Sequence, residues 1–363
     1  MKNIILGNGI NIQFAGVDYT NKQIINRALL KLKLKKHNKD VYTDEIRIWI
    51  KMLYQSIPNF LKGDYDNLAV LDEEKVELFN FKTIYKTKTP INEIGFEDFF
   101  LLNELHCRKN KITNPERFYF QEFLRRLFLD SIFNGGKVNL IHEKIPQYFI
   151  DFLKGFDCIF TTNYDRNFEI ATNREILYLH GAFHVLAPEY DPNSFRNQLS
   201  DSPAKKNPAI KRYEHAFSTA LTGSSGAFKQ YASDSQEQAN SGIDKFAIGY
   251  LEKPELRPQI DEWKDSDNEM VRNLYEGIML KIKNPDLKIS IDYALSKLSA
   301  IEGKVVFMGL SPNNDTHIVS KLKDNDKVDV IEYYYFDQSE GEIVSSLFES
   351  KNVITKDIKE FWK

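Results

Sequence analysis

Four short segments of the chain hold residues whose types and spacing can do chemistry. Gly7-Asn8-Gly9-Ile10-Asn11 is a shortened glycine turn. Glycines without a Cβ let backbone amides approach a pyrophosphate, and the helix start that follows favours its charge. Any tight strand-to-helix turn can use the same residues, so this motif alone leaves both readings open. Thr161-Thr162-Asn163-Tyr164-Asp165 gathers amide, phenol and carboxylate groups. Asn163 can donate and accept together and so hold a water or a ribose hydroxyl. An Asn-capped turn with an exposed Asp has the same letters. His180, fifteen residues after Asp165 and just before Gly181, can serve as a general base near neutral pH. A lone histidine is more often structural. Gly309-Leu310-Ser311 and Asp315 form the fourth segment.

These residues need elements that bring them to one place. Ile4-Ile5-Leu6, Cys158 to Thr162, Ile176 to Leu179 and Lys304 to Gly309 each read as a short buried strand, and each of the four segments lies at the end of one. Val328 to Phe336 reads as a final β-rich strand. Helical spacing is expected over residues 20–62, 96–133 and 266–301. Phe99, Leu102, Leu105, Phe120, Phe123, Leu124, Leu127 and Phe128 form an apolar stripe that suits helix packing rather than a cofactor box. Residues 63–92 give mixed signals. Residues 187–243, rich in Pro, Ser, Gly and Asn, read as an active-site flap or an irregular insertion. Strands alternating with helices predict an α/β fold, and ligands of open parallel sheets bind beyond the strand C-termini.

Composition narrows the field. The 363 residues are 42% hydrophobic and 28% charged, with a net charge of −3, so neither disorder nor a global attraction to polyanions is expected. The two cysteines, Cys107 and Cys158, exclude a tetrathiolate zinc site and fit a reducing, cytoplasmic compartment. Cys158, inside a predicted strand, reads as filler rather than nucleophile. The N-terminal apolar run is too short for a signal-peptide core, and no span of about 18 uncharged apolar residues exists, so no membrane association is expected.

Taken together and in order, the four segments resemble the sirtuin-like NAD-binding family. There a Gly-Ala-Gly-Ile-Ser turn holds the NAD phosphates, similar to Gly7, Asn8, Gly9 and Asn11. An Asn-x-Asp step contacts the nicotinamide-side ribose and the reacting water, similar to Asn163, Tyr164 and Asp165 with Thr162 beside them. A histidine before glycine is catalytic, similar to His180. A Gly-x-Ser strand end binds the adenosine ribose, similar to Gly309 and Ser311. Asn314-Asp315-Thr316-His317-Ile318 looks like the Asp-x-His-Ile continuation of bacterial members, including abortive-infection H-type proteins.

The resemblance covers about residues 1–20, 150–186 and 300–340. It implies one domain over residues 1–363: a Rossmann-like parallel sheet with large helical insertions at 20–150 and 187–300. The paired Cys-x-x-Cys motifs of protein-deacylating sirtuins are absent, and their Gly-Ile-Pro-Asp-Phe-Arg continuation is replaced by Gly16-Val17-Asp18-Tyr19-Thr20. The resemblance therefore points to the zinc-free branch of anti-phage NAD hydrolases and away from deacylation.

What it implies is NAD as substrate, no metal, and cleavage of the nicotinamide–ribose bond. Asn163 would place the water or ribose. Asp165 would hold the carboxamide or balance charge. His180 would be the base. Gly7, Gly9 and Asn11 would fix the pyrophosphate, with Ser311 and Asp315 on the adenosine ribose. It also implies control by self-assembly into a homo-oligomer or by a partner such as an ATPase or an Argonaute-like protein. The alternative from a different class is a non-catalytic sensor of NAD or an ADP-ribose derivative.

Other features carry competing readings. Lys22, Arg27, Lys31, Lys33, Lys35, Lys36 and Lys39 form an acid-free basic run that suits nucleic acid or a phosphorylated partner, or else the solvated face of an amphipathic helix, which is preferred. Thr222 to Lys229 reads as a substrate flap or an ordinary loop. His184, four residues after His180, makes a poor metal pair without neighbouring Cys.

Overall fold

Ile4, Ile5 and Leu6 are wholly buried, and the strand they form, β1 (Lys2–Leu6), has parallel partners on both sides. That is why the run is continuously apolar rather than alternating. A computed structural model describes residues 1–33, 44–113, 116–186, 210–221, 226–286, 293–312 and 315–363. The other strands are β2 (Cys158–Thr161), β3 (Leu177–Tyr178), β4 (Gly303–Met308), β5 (Val328–Tyr335) and β6 (Asn352–Asp357). All pairings are parallel, in the order β3-β2-β1-β4-β5-β6. This is the order of a Rossmann-like sheet, so the expected α/β class holds. The chain runs outward from β1 in one direction and then returns to its other side, which puts the switch point between β1 and β4. Leu6 is level with both Thr161 and Met308, so Gly7, Thr162 and Gly309 emerge side by side.

The helices are α1 (Asn8–Ala15), α2 (Asn21–Lys33), α3 (Asp44–Lys62), α4 (Asp72–Ile84), α5 (Asp98–Lys109), α6 (Glu116–Phe133), α7 (Gln147–Lys154), α8 (Asn167–Thr172), α9 (Gly226–Glu252), α10 (Arg257–Asp261), α11 (Glu269–Lys283), α12 (Leu295–Ser299), α13 (Thr316–Lys323), α14 (Gln338–Leu347) and α15 (Ile358–Phe361). The stretch from α2 to α6 has its own core, in which Phe99, Leu102, Leu105, Leu124, Leu127 and Phe128 are fully enclosed, as the apolar stripe predicted. The same core takes in Tyr164, Phe183, Ala220 and Leu221. The insertion is therefore welded to the loops beyond β2 and β3.

Two expectations are corrected. The sheet does not end near residue 340: β6 adds an edge strand at Asn352–Asp357. Its side chains are mostly exposed, so it carries no apolar run for a sequence pattern to detect. The stretch 187–243 is not all irregular, because α9 begins at Gly226 and runs for 27 residues. Ile243 and Ala247 of α9 pack with Ile260 and Ile278 in a small satellite core. Residues 187–209, the loop at 222–225 and the Lys229 side chain lie outside the described residues, as do Lys35, Lys36, Lys39 and Asn314.

The described part of the basic run is not a bare cationic face. The Arg27 guanidinium donates to the carbonyls of Ser131 and Asp18, Lys31 pairs with Asp130 at 2.6 Å, and Lys22 lies 3.3 Å from Glu93. Among the described residues no helix is long and apolar enough to cross a membrane.

Candidate functional site

The floor of the site is the seam between β1 and β4. Gly7 N donates to Met308 O at 3.0 Å and Gly9 N to Gly309 O at 2.8 Å. A Cβ at Gly7 would stand 2.4 Å from Gly309 O, and one at Gly9 would stand 2.8 Å from Gly309 Cα. Gly309 itself has φ +75° and Ile10 N 2.8 Å from its would-be Cβ. The glycines are thus required by the close approach of two strand ends. Gly7 and Gly9 direct their amides to β4 and lie beneath the cleft, and the side chains of Asn8 and Asn11 line it.

Asn11, on the first turn of α1, donates from Nδ2 to Asp165 Oδ2 at 2.7 Å. The other oxygen of Asp165 accepts from the Asn167 amide N–H at 3.0 Å and from the Asn167 side chain. Burial pushes the Asp165 carboxyl up, and the hydrogen bonds from Asn11 and Asn167 oppose that rise. Both Asp165 oxygens are therefore turned to protein donors. Asn11 Oδ1 is buried and accepts no hydrogen bond among the described residues, so a donor on a ligand, such as a sugar hydroxyl, is what would complete it. Asn163 is braced by its own amide donating to Thr161 Oγ1 at 3.0 Å and by a longer contact, 3.4 Å, from Nδ2 to Gly7 O. Asn8 Nδ2 donates to Tyr19 O at 2.7 Å. Tyr164 is buried against Phe183, its phenol pushed well above its ordinary range by that burial.

His180 stands beyond β3 and is 3% exposed. Its Nε2 is 2.9 Å from Nε2 of His317 and 3.5 Å from Oδ1 of Asp315. His317 and Asp315 come from the start of α13. Asp315 thus sits beside His180 rather than apart from it with Ser311. The main chain of His180 is held from behind by residues 210–221: Leu221 N donates to His180 O at 3.0 Å, and Ala182 N to Thr219 Oγ1 at 3.1 Å. Gly181 has φ +78° and Thr219 O 2.1 Å from its would-be Cβ, so no other residue fits there. That segment is in turn pinned by Arg125 of α6. Its guanidinium donates to the carbonyls of Ser218 and Ala220 and pairs with Glu122, and Asp130 lies 2.9 Å from His215. His184 points elsewhere, to 3.9 Å from Glu169.

Asn8, Asn11, Thr162, Asn163, Tyr164, Asp165, His180, Gly309, Ser311 and Asp315 all line one cleft of about 740 Å³. Its opposite wall comes from the insertion and includes Glu77, Phe81, Tyr85, Glu97, Asp98 and Leu101. Tyr85 donates to Asp98 Oδ2 at 2.6 Å, and burial pushes the Asp98 carboxyl up to about 6. The same burial, with the Asp98 charge beside it, raises the Tyr85 phenol. Carboxylates of Glu77, Glu97, Asp98, Asp165 and Asp315 line the cleft, and among the described residues no Lys or Arg does.

No family model, no curated protein and no solved structure matches the chain.

Sequence reasoning brought together the strand-end residues but gave no role to His317, to the Tyr85–Asp98 wall or to the Arg125 pin. His317 lies two residues after Asp315, in the segment Asn314 to Ile318. Tyr85 sits in the 63–92 stretch of mixed signals and Asp98 and Arg125 in a stretch that carries only helical patterning, and the place of Tyr85 and Asp98 at the cleft is set by tertiary packing.

Proposed function

We propose that the chain is an NAD hydrolase that cleaves the nicotinamide–ribose bond to give nicotinamide and ADP-ribose. The observation that carries this reading is the convergence of four strand-end segments on one cleft at the switch point of the sheet, where such folds take dinucleotides. The cleft volume is that of a pocket for a ligand of this size. Its acidic lining suits a cationic nicotinamide ring, and the open acceptor Asn11 Oδ1 suits a ribose hydroxyl.

Cleavage passes through an oxocarbenium-like state that needs a placed water and nearby negative charge. Asn163, braced on Thr161, orients the water or the ribose. Asp165 works through Asn11, which it holds in place. His180 takes the proton, with Asp315 beside it. Asn8 and Ser311 contact the sugar–phosphate part. In this reading the chain is a bacterial anti-phage effector, held off by self-assembly or a regulatory partner until infection.

The test is release of nicotinamide and ADP-ribose from NAD by the purified full-length chain beside His180→Ala and Asn163→Ala. General-base and positioning roles predict losses on the order of 100-fold or more in turnover. Full cleavage by both variants would sink the assignment. A second reading is a sensor that binds NAD without cleaving it. It is favoured by one contact, the His180 Nε2 held at 2.9 Å from His317. Calorimetric binding of NAD with no cleavage, with or without candidate activators, would select it.

A further inference from the structure

We propose that His180, His317 and Asp315 form a binding site for one divalent transition-metal ion of the zinc class. The Nε2 atoms of the two histidines and one oxygen of Asp315 all lie within 4.8 Å of one another. His180 Nε2 is the shared corner, 2.9 Å from His317 Nε2 and 3.5 Å from Asp315 Oδ1. Bonds of about 2.0–2.2 Å place neighbouring ligand atoms roughly 3.0–3.5 Å apart around such an ion. The His180–Asp315 spacing of 3.5 Å meets that requirement, and the His180–His317 spacing of 2.9 Å needs the two rings to part by a few tenths of an ångström. Two imidazoles and a carboxylate are the donor set such ions prefer, and three protein ligands leave a position open to water or a ligand.

Position strengthens the case. His180 and His317 are 3% and 0% exposed, so an ion there would be shielded from bulk water. Asp315 and His180 both line the cleft, so the open coordination position faces it. The cleft wall carries five carboxylates, Glu77, Glu97, Asp98, Asp165 and Asp315, and no Lys or Arg among the described residues. An anionic ligand such as a pyrophosphate meets no side-chain cation there, and a divalent ion would supply the missing positive charge. This departs from the metal-free expectation drawn from resemblance. It goes beyond the NAD reading, since ion uptake is measured without NAD. With an ion in place the lone pair of His180 Nε2 would point to the metal, so His180 could not also accept a proton, and the ion would supply at its open position a water made more acidic.

The experiment uses the full-length chain, stripped with a chelator and titrated with Co²⁺ and Zn²⁺ by calorimetry, with visible absorption following Co²⁺. One equivalent of tight uptake, with Co²⁺ ligand-field bands, is expected. His317→Ala and Asp315→Asn should weaken uptake by more than the roughly 10- to 100-fold that loss of an outer-shell partner costs. Asp315→Asn keeps the side-chain shape, so it reads the site even if His317→Ala fails to fold. No stoichiometric uptake by the parent, or uptake of equal affinity by Asp315→Asn and the parent, overturns the proposal. Either result leaves a hydrogen-bonded histidine pair and does not touch the NAD reading, whose own failure is the absence of nicotinamide release from NAD.

Discussion

Asn11 and Asp165, 154 residues apart in sequence, meet at 2.7 Å and tie the turn after β1 to the turn after β2. Asp165 is 2% exposed, and its partners Asn11 and Asn167 satisfy both of its oxygens. Asp165→Ala would strand these buried donors. It is expected to cost about 2–4 kcal/mol, since each unsatisfied buried group costs about 1–3 kcal/mol. Denaturant unfolding of parent and variant checks this, and a change below about 0.5 kcal/mol would contradict it.

Gly309→Ala and Gly135→Ala separate crowding from backbone strain. Both glycines have positive φ, +75° and +63°, but only Gly309 has backbone within 3 Å of its would-be Cβ, while Gly135 has nothing within 4 Å. Gly135→Ala should cost about 1 kcal/mol, from the left-handed conformation alone. Gly309→Ala should cost clearly more, about 2–4 kcal/mol, because β1 and β4 must part. Equal costs in thermal unfolding would show that the seam yields.

Arg125→Ala would leave buried Glu122 with Arg126, 3.4 Å away, as its remaining guanidinium partner and free the carbonyls of Ser218 and Ala220. Removing the only partner of a buried charge costs about 3–5 kcal/mol, and with Arg126 still on Glu122 the cost should lie below that. Because Leu221 N donates to His180 O, local loosening should also appear as faster hydrogen exchange at the Leu221 amide. Unchanged exchange there would mean that residues 210–221 are held by other contacts.

Asp98 gives a pH dependence of defined sign. Burial raises its carboxyl to about 6 from its ordinary value of 3.8. The folded chain therefore binds the proton more tightly than the unfolded chain, and stability falls as pH rises from about 4 to 6 through this group. The penalty is fully present above pH 6 and amounts to at most about 3 kcal/mol. Asp98→Asn should be more stable than the parent at pH 7, and the difference should vanish near pH 4. A difference independent of pH would contradict the origin of the shift in burial.

The amino-acid sequence by itself determined the sheet and its ends. A buried parallel strand has to be apolar on both faces, so Ile4-Ile5-Leu6, Cys158 to Thr161 and Val305 to Met308 were legible as strands. The short polar and glycine motifs that follow them were legible as strand-end loops. β6 was not, because an exposed edge strand needs no apolar pattern. The start of α9 was not either, because it falls in a stretch whose Pro, Ser, Gly and Asn content reads as irregular.

Only the tertiary structure decided what the strand-end residues touch. It brought His317 to 2.9 Å from His180, turned Asp165 to Asn11 and Asn167, and carried Tyr85 and Asp98 from the insertion to the far wall of the cleft. A one-dimensional pattern records which face of an element is buried. Which side chain of another element lies 3 Å away depends on register and crossover, and only the packed sheet and its insertion fix those.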